Sequence, residues 1–160
     1  MLGLRLVRLI EKHSEDLGES LTTKLLTSDR TLGYRTISED ELRAATVSVY
    51  SHLEAWLLTK TESDLERIFG EMGARRAKQD IPSSQLAWAL MMSKKQLWAY
   101  IYKENGADKA FELYRELEFL EMLDGFYDRA IFFALIGYEE YVHSRAFSHV
   151  GKGLALARGM

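Results

Sequence analysis

The chain has 160 residues, a formal net charge of −3 and 47% hydrophobic residues, the profile of one globular domain with one core rather than of a disordered or fibrous chain. Its mild acidity argues against nucleic acid as the main partner, because phosphate binding needs a concentrated basic face. Cysteine is absent, which excludes disulfides, thiolate zinc sites, iron–sulfur clusters and covalent haem attachment and is compatible with a reducing cytoplasm.

Residues 1–17 thread Arg5, Arg8, Glu11 and Lys12 through their apolar positions, so they contain no apolar run of signal-peptide or membrane-spanning type. A soluble, cytoplasmic protein without a membrane partner is expected. From about Leu4 to Leu26, one face carries Leu6, Ile10, His13, Leu17, Leu21 and Leu25, the spacing of a first amphipathic helix. Residues 27–37 (TSDRTLGYRTI) have no period and read as a connecting loop.

Ser38-Glu-Asp-Glu41 then reads as a capping box, in which the Ser hydroxyl takes a backbone N–H and Glu41 reaches back. Behind it Leu42, Ala45, Val49, Leu53, Trp56 and Leu57 make a second helix ending near Lys60. Thr61 and Asp64 repeat the start signal, and a short third helix follows with Leu65, Ile68, Phe69 and Met72 inward. Residues 73–82 (GARRAKQDIP) are expected to fray or turn, since Pro82 is tolerated only before a helix or in its first turn.

A fourth helix is predicted from about Ser83 to Lys103, closed by Glu104-Asn-Gly106. It is apolar nearly all round at its start and should be central. Residues 107–149 lack Pro and have only Gly125 and Gly137 as weak points, so they read as one long last helix. Its principal seam is Leu113, Leu117, Leu120, Tyr127, Ile131, Ala134, Tyr138 and Tyr141, interrupted by Asp124. A second runs Phe119, Leu123, Phe126, Ala130, Phe133 and Gly137. Residues 1–150 are therefore expected to form a single all-α bundle of about five helices around a long C-terminal spine, with 151–160 a flexible tail. No strand signal, internal repeat or low-complexity segment competes.

Few residues suggest chemistry. Glu140 and His143 have the Glu-x-x-His spacing of helical-bundle di-iron proteins, but His13, His52 and His149 are preceded at i−3 by Ile10, Val49 and Ala146, so the second pair is missing. A helix-surface contact between neighbours three apart explains Glu140 and His143 as well. No Cys nucleophile, Ser-His-Asp set or Gly-rich phosphate loop is present, so no catalytic residue, metal ligand or cofactor is expected. Arg75, Arg76 and Lys78 form the one basic cluster, read either as an anion or partner contact or as solvated charge at a helix end. Large soft side chains cluster on the predicted helices. Core packing accounts for most of them, but His52, Trp56, Trp88, Met92 and Phe126 are also candidates to line a pocket for a small apolar ligand.

The run TISEDELRAATVSVYSHLEAWLL, the GARRA…DIP turn and LDGFYDRAIFFALIGYEEY together resemble the N-terminal sensor domain of the RsbR/RsbRD family of stress-signalling regulators, over about Leu6 to Phe147. That resemblance implies a globin-like, non-haem helical fold serving as the input module of stressosome regulators or of sensor histidine kinases. In those proteins the last helix leads into an output domain. This chain stops about ten residues after it, which is expected to mean either action in trans or a missing output half. The residues agree about haem, since no His lies between His52 and His143.

The resulting expectation is a non-catalytic sensory or regulatory domain, a homodimer with protein partners in signalling. Asp128, Arg129, Tyr138 and Glu139 are its candidate relay or interface residues, though solvated helix surface also accounts for each. The alternatives are a metal-binding bundle or enzyme centred on Glu140 and His143, and a purely structural assembly domain.

Overall fold

The computed structural model describes residues 2–105 and 117–158, which form six α-helices and no strand. They are α1 (Leu2–Lys12), α2 (Ser14–Thr27), α3 (Glu39–Ser51), α4 (Glu62–Lys78), α5 (Ser83–Asn105) and α6 (Leu117–Arg158). A 3₁₀ segment, Asp29–Thr36, joins α2 to α3, and a π-helical turn, Ala55–Thr59, lies between α3 and α4. The expected all-α fold with a long C-terminal helix is what the chain adopts. Residues 107–116 of the predicted spine, including Leu113, lie outside the described residues, as does Gly106 of the predicted closing turn. The segment expected to be a tail is helical as far as Arg158.

Two predicted helices are broken, and both breaks fall at a histidine. The first divides at His13 (φ −102°, ψ 18°), from which α2 restarts. The second ends at Ser51, with His52 at φ −116°, ψ 24°. There the freed N–H of Glu54 donates to the Glu11 carboxylate of α1 at 2.7 Å, which satisfies a backbone group the helix cannot. The loop expected over 27–37 is a 3₁₀ turn pinned to the bundle by the Thr31 hydroxyl on the Leu25 carbonyl (2.7 Å) and by the Gly33 N–H on Gln85 Oε1 (2.7 Å).

Capping sets the starts of α3 and α4. The Ser38 hydroxyl accepts from the Glu41 N–H (3.2 Å), but the Glu41 carboxylate turns away from the cap to Gln79 and Arg76. Thr61 and Asp64 make the full reciprocal box, the Asp64 N–H donating to Thr61 Oγ1 and the Thr61 N–H to Asp64 Oδ2. The backbone N–H of Thr61 holds the Asp64 carboxyl below its ordinary range. From there α4 runs unbroken through residues 73–78, where fraying was expected.

The dominant packing is α4 against α6. Gly70 and Gly73 of α4 meet Ala134, Gly137 and Tyr138 of α6 backbone to backbone. A Cβ built on Gly73 would overlap the Ala134 carbonyl, and one on Gly137 the Gly70 carbonyl, so both positions require glycine for the approach itself. Around this crossing, Leu120, Leu123, Phe126, Tyr127, Ala130 and Ala134 are sunk in the core with Leu65, Phe69, Leu97 and Ile101. Trp56, Phe69, Phe126 and Tyr127 form a chain of tilted and edge-on ring contacts with centroids 5.1–5.7 Å apart, the arrangement that ring quadrupoles favour. Asp124, the polar interruption in the seam, meets Trp98 Nε1 (3.3 Å) and Lys94 Nζ (3.5 Å) of α5.

Candidate functional site

The feature with most chemical character is a partly open cavity of about 40 Å³ bounded by α2, the 3₁₀ segment, α3, α4 and α5. Its walls are mostly aliphatic, from Leu25, Ala45, Val49, Met72, Leu86 and Leu90. Tyr34 and Arg76 also line it. Arg76 is 3% exposed, and a cation at that depth needs compensation. Its Nη1 donates to Gln79 Oε1 at 2.8 Å, and the Glu41 carboxylate stands 3.7 Å away. Gln79 Nε2 in turn donates to Glu41 Oε1 at 3.1 Å. The guanidinium carbon also lies 5.6 Å from the centre of the Tyr34 ring, within cation–π range. Burial pushes the Tyr34 phenol up to about 12, an effect Arg76 opposes.

A second polar group stands at the cavity wall. Ser93 of α5 is hydrogen-bonded to Tyr127 of α6 (2.7 Å) and donates to the Tyr50 hydroxyl of α3 (3.3 Å), while Tyr50 Oη donates to the Ser93 carbonyl (3.0 Å). Burial raises the pKa of both phenols. Thr46, also on the wall, donates to the Gly18 carbonyl (2.9 Å) and its hydroxyl lies 3.0 Å from that of Thr22. These hydroxyls are satisfied by neighbouring helices and join four of them.

Beyond Arg76, the turn at residues 79–82 connects the cavity to α6. Asp80 has a positive φ of 57°, a left-handed conformation that Asp tolerates better than most residues. Its carboxylate is 3.6 Å from Arg145 of α6, and the carbonyl of Ile81 accepts from the Tyr138 hydroxyl at 2.7 Å. One short turn therefore bonds to the cavity's charged residue through Gln79 at one end and to the last helix at the other.

The expected ligand residues are dispersed. Trp56 and Phe126 touch, with ring centroids 5.7 Å apart, and the buried Trp56 Nε1 has no hydrogen-bond partner among the described residues. His52 is exposed, its Nδ1 near the Ser48 carbonyl and the Ser51 hydroxyl. Trp88 is half-buried beneath the Arg30 guanidinium at 4.4 Å, and Met92 is half-buried against the core. None of the five lines the cavity described above. Of the relay candidates, Tyr138 holds Ile81, whereas Asp128, Arg129 and Glu139 are exposed, with Arg129 Nε donating to the Gly125 carbonyl. Glu140 and His143 are exposed on α6, and no group of three or more metal-ligating side chains occurs among the described residues.

Tyr34, Tyr50, Arg76 and Ser93 are central here but were absent from the expected site. The signal for Arg76 was present in the pattern: Leu65, Phe69, Met72 and Arg76 follow at intervals of four, three and four, so Arg76 continues the buried stripe that Arg75 and Lys78 flank from the exposed side.

The family model described as the RsbT co-antagonist protein rsbRD N-terminal domain matches residues 15–148, and the chain belongs to that family. No curated protein and no solved structure matches it. No helix among the described residues is long and apolar enough to cross a membrane.

Proposed function

We infer that the chain is a non-catalytic sensory or regulatory input domain of stressosome-type signalling, acting in the cytoplasm as a homodimer and engaging protein partners of the RsbT type. The family supports the regulatory setting. The observation that carries the dimer and the output is α6. Its first half is buried at the α4 crossing, while farther along Val142, Phe147 and Val150 are exposed. At 3.6 residues per turn, Phe132, His143, Phe147 and Val150 share a face opposite the one that carries Leu123, Ala130 and Gly137 into the core. Phe132, Phe147 and Val150, exposed on a face away from the core that also carries Arg129 and Glu139, suit a second copy of the same helix.

In this reading a signal acts on the bundle, through a small ligand or a partner, and alters how the 79–82 turn holds α6. The outer part of the helix then presents a different surface to the output partner. A switch of this kind needs about 1–3 kcal/mol of coupling between its two sites. Native mass spectrometry of the purified protein, alone and mixed with an RsbT-type protein, tests the reading. Twice the chain mass, and a further species containing the added protein, are expected. A monomer that leaves the added protein unbound contradicts it.

A further inference from the structure

Arg76 is a buried cation whose carboxylate partner is remote, although Gln79 Oε1 accepts from its Nη1 at 2.8 Å and the Tyr34 ring lies beside it. Charge-assisted contacts between guanidinium and carboxylate close to about 2.7–2.9 Å, often in pairs, yet the Glu41 carboxylate stands at 3.7 Å and is shared with Gln79. Glu41 is also 43% exposed whereas Arg76 is 3% exposed, so the anion keeps part of its hydration while the cation is buried. Next to this cation lies an apolar cavity whose hydroxyl-bearing wall residues, Thr46 and Ser93, already bond to protein atoms. The polar demand on the cavity therefore comes from Arg76 and the Tyr34 phenol beside it.

Size and charge narrow what fits. A water occupies about 10–15 Å³ measured in this way, so a cavity of about 40 Å³ takes roughly three such groups, and the rest of a larger guest lies in its open side. One buried cation matches one negative charge. A doubly charged anion would leave its second charge against aliphatic walls, and a wholly apolar guest would leave Arg76 as it stands.

We propose that the cavity is a binding site for a short aliphatic monocarboxylate of about two or three carbons, its carboxylate paired with Arg76 and its alkyl end among Ala45, Val49 and Leu90. On binding, the guest replaces Glu41 as the partner of the guanidinium. Gln79, bonded to both Arg76 and Glu41, is released from that triangle, and Gln79 opens the turn that contacts Tyr138 and Arg145. That occupancy acts as a signal rests on the input-domain reading given above; the site itself does not.

The test is calorimetric titration of the whole chain with sodium propionate, against propionamide as the uncharged control. Saturable binding at one site per chain is expected, with a Kd below about 1 mM and propionamide weaker by about 10-fold or more. Glu41→Gln removes the competing carboxylate and is expected to tighten binding several-fold, an effect that a merely structural role for Arg76 would not produce. Ala45→Leu fills the cavity without touching the charge and is expected to abolish binding, as is Arg76→Met. No saturable binding at about 10 mM propionate, equal binding of the amide, or binding unchanged in Ala45→Leu overturns the site and leaves the input-domain reading standing. Propionate that binds as expected but leaves hydrogen exchange along α6 unaltered keeps the site and contradicts its use as a signal.

Discussion

The two halves of α6 are built from similar residues and put to different uses. Residues 117–138 hold Phe119, Leu120, Leu123, Phe126, Tyr127, Ala130 and Phe133, all buried. Residues 139–150 are also apolar at intervals, yet Val142, Phe147 and Val150 are 47–73% exposed. Helix propensity does not separate the halves, since one unbroken helix runs through both. The first half has α4 and α5 to pack against, whereas the second is touched at Arg145 by Asp80 and continues from there to Arg158 for about 20 Å at 1.5 Å per residue. The first half therefore stabilises the fold, and the second is a surface whose worth depends on what covers it.

That division can be broken from the inside first. Phe126→Ala removes a fully buried ring from the aromatic chain and is expected to cost about 3–5 kcal/mol in denaturant unfolding. A strongly alkaline solution acts on the same interior. Tyr34 titrates near 12 in the fold against 10.0 unfolded, so above pH 10 the unfolded chain loses its proton more readily and stability falls. The loss from this group reaches about 2–3 kcal/mol by pH 12, while stability below pH 9 is unaffected by it. Unfolding midpoints at pH 8 and pH 11 check the sign, and Tyr34→Phe should flatten the slope.

Gly73→Ala is expected to cost about 1–3 kcal/mol, because the added methyl meets the Ala134 carbonyl and the helices must move apart. Gly125→Ala, on the same long helix but with nothing within 4 Å of the added Cβ, is expected to be neutral or slightly stabilising. Phe147→Asp, on the outer half, should change unfolding of the monomer by less than about 0.5 kcal/mol. In sedimentation velocity the same variant should run as a monomer where the parent runs as a dimer.

Much of the architecture was legible in the sequence because it rests on period and caps. Leu6, Ile10, Leu17, Leu21 and Leu25 are buried in the order their spacing gave, and Thr61 with Asp64 marked the start of α4. The breaks at His13 and His52 were hidden because the apolar stripe continues across both, so periodicity has no term for a backbone kink rescued by Glu11 from another helix. Residues 73–82 read as a fraying end or turn because of Pro82. Gly73 is instead the point of closest approach to α6, a tertiary requirement invisible along one chain. The cavity was the least legible feature. It draws on Tyr34 from a segment read as loop, Arg76 from a cluster read chiefly as solvated charge and Ser93 from a helix face, residues that only the packed bundle brings together.

Hydrogen exchange along α6, followed at a low and a high protein concentration, tests the division directly. Amides of residues 119–138 should exchange slowly and at the same rate in both samples, since their protection comes from the bundle. Those of residues 142–150 should exchange faster in the dilute sample and slow as concentration rises and a second copy covers the strip. Equal protection in both halves at both concentrations, or fast exchange across the α4 crossing, would contradict the account.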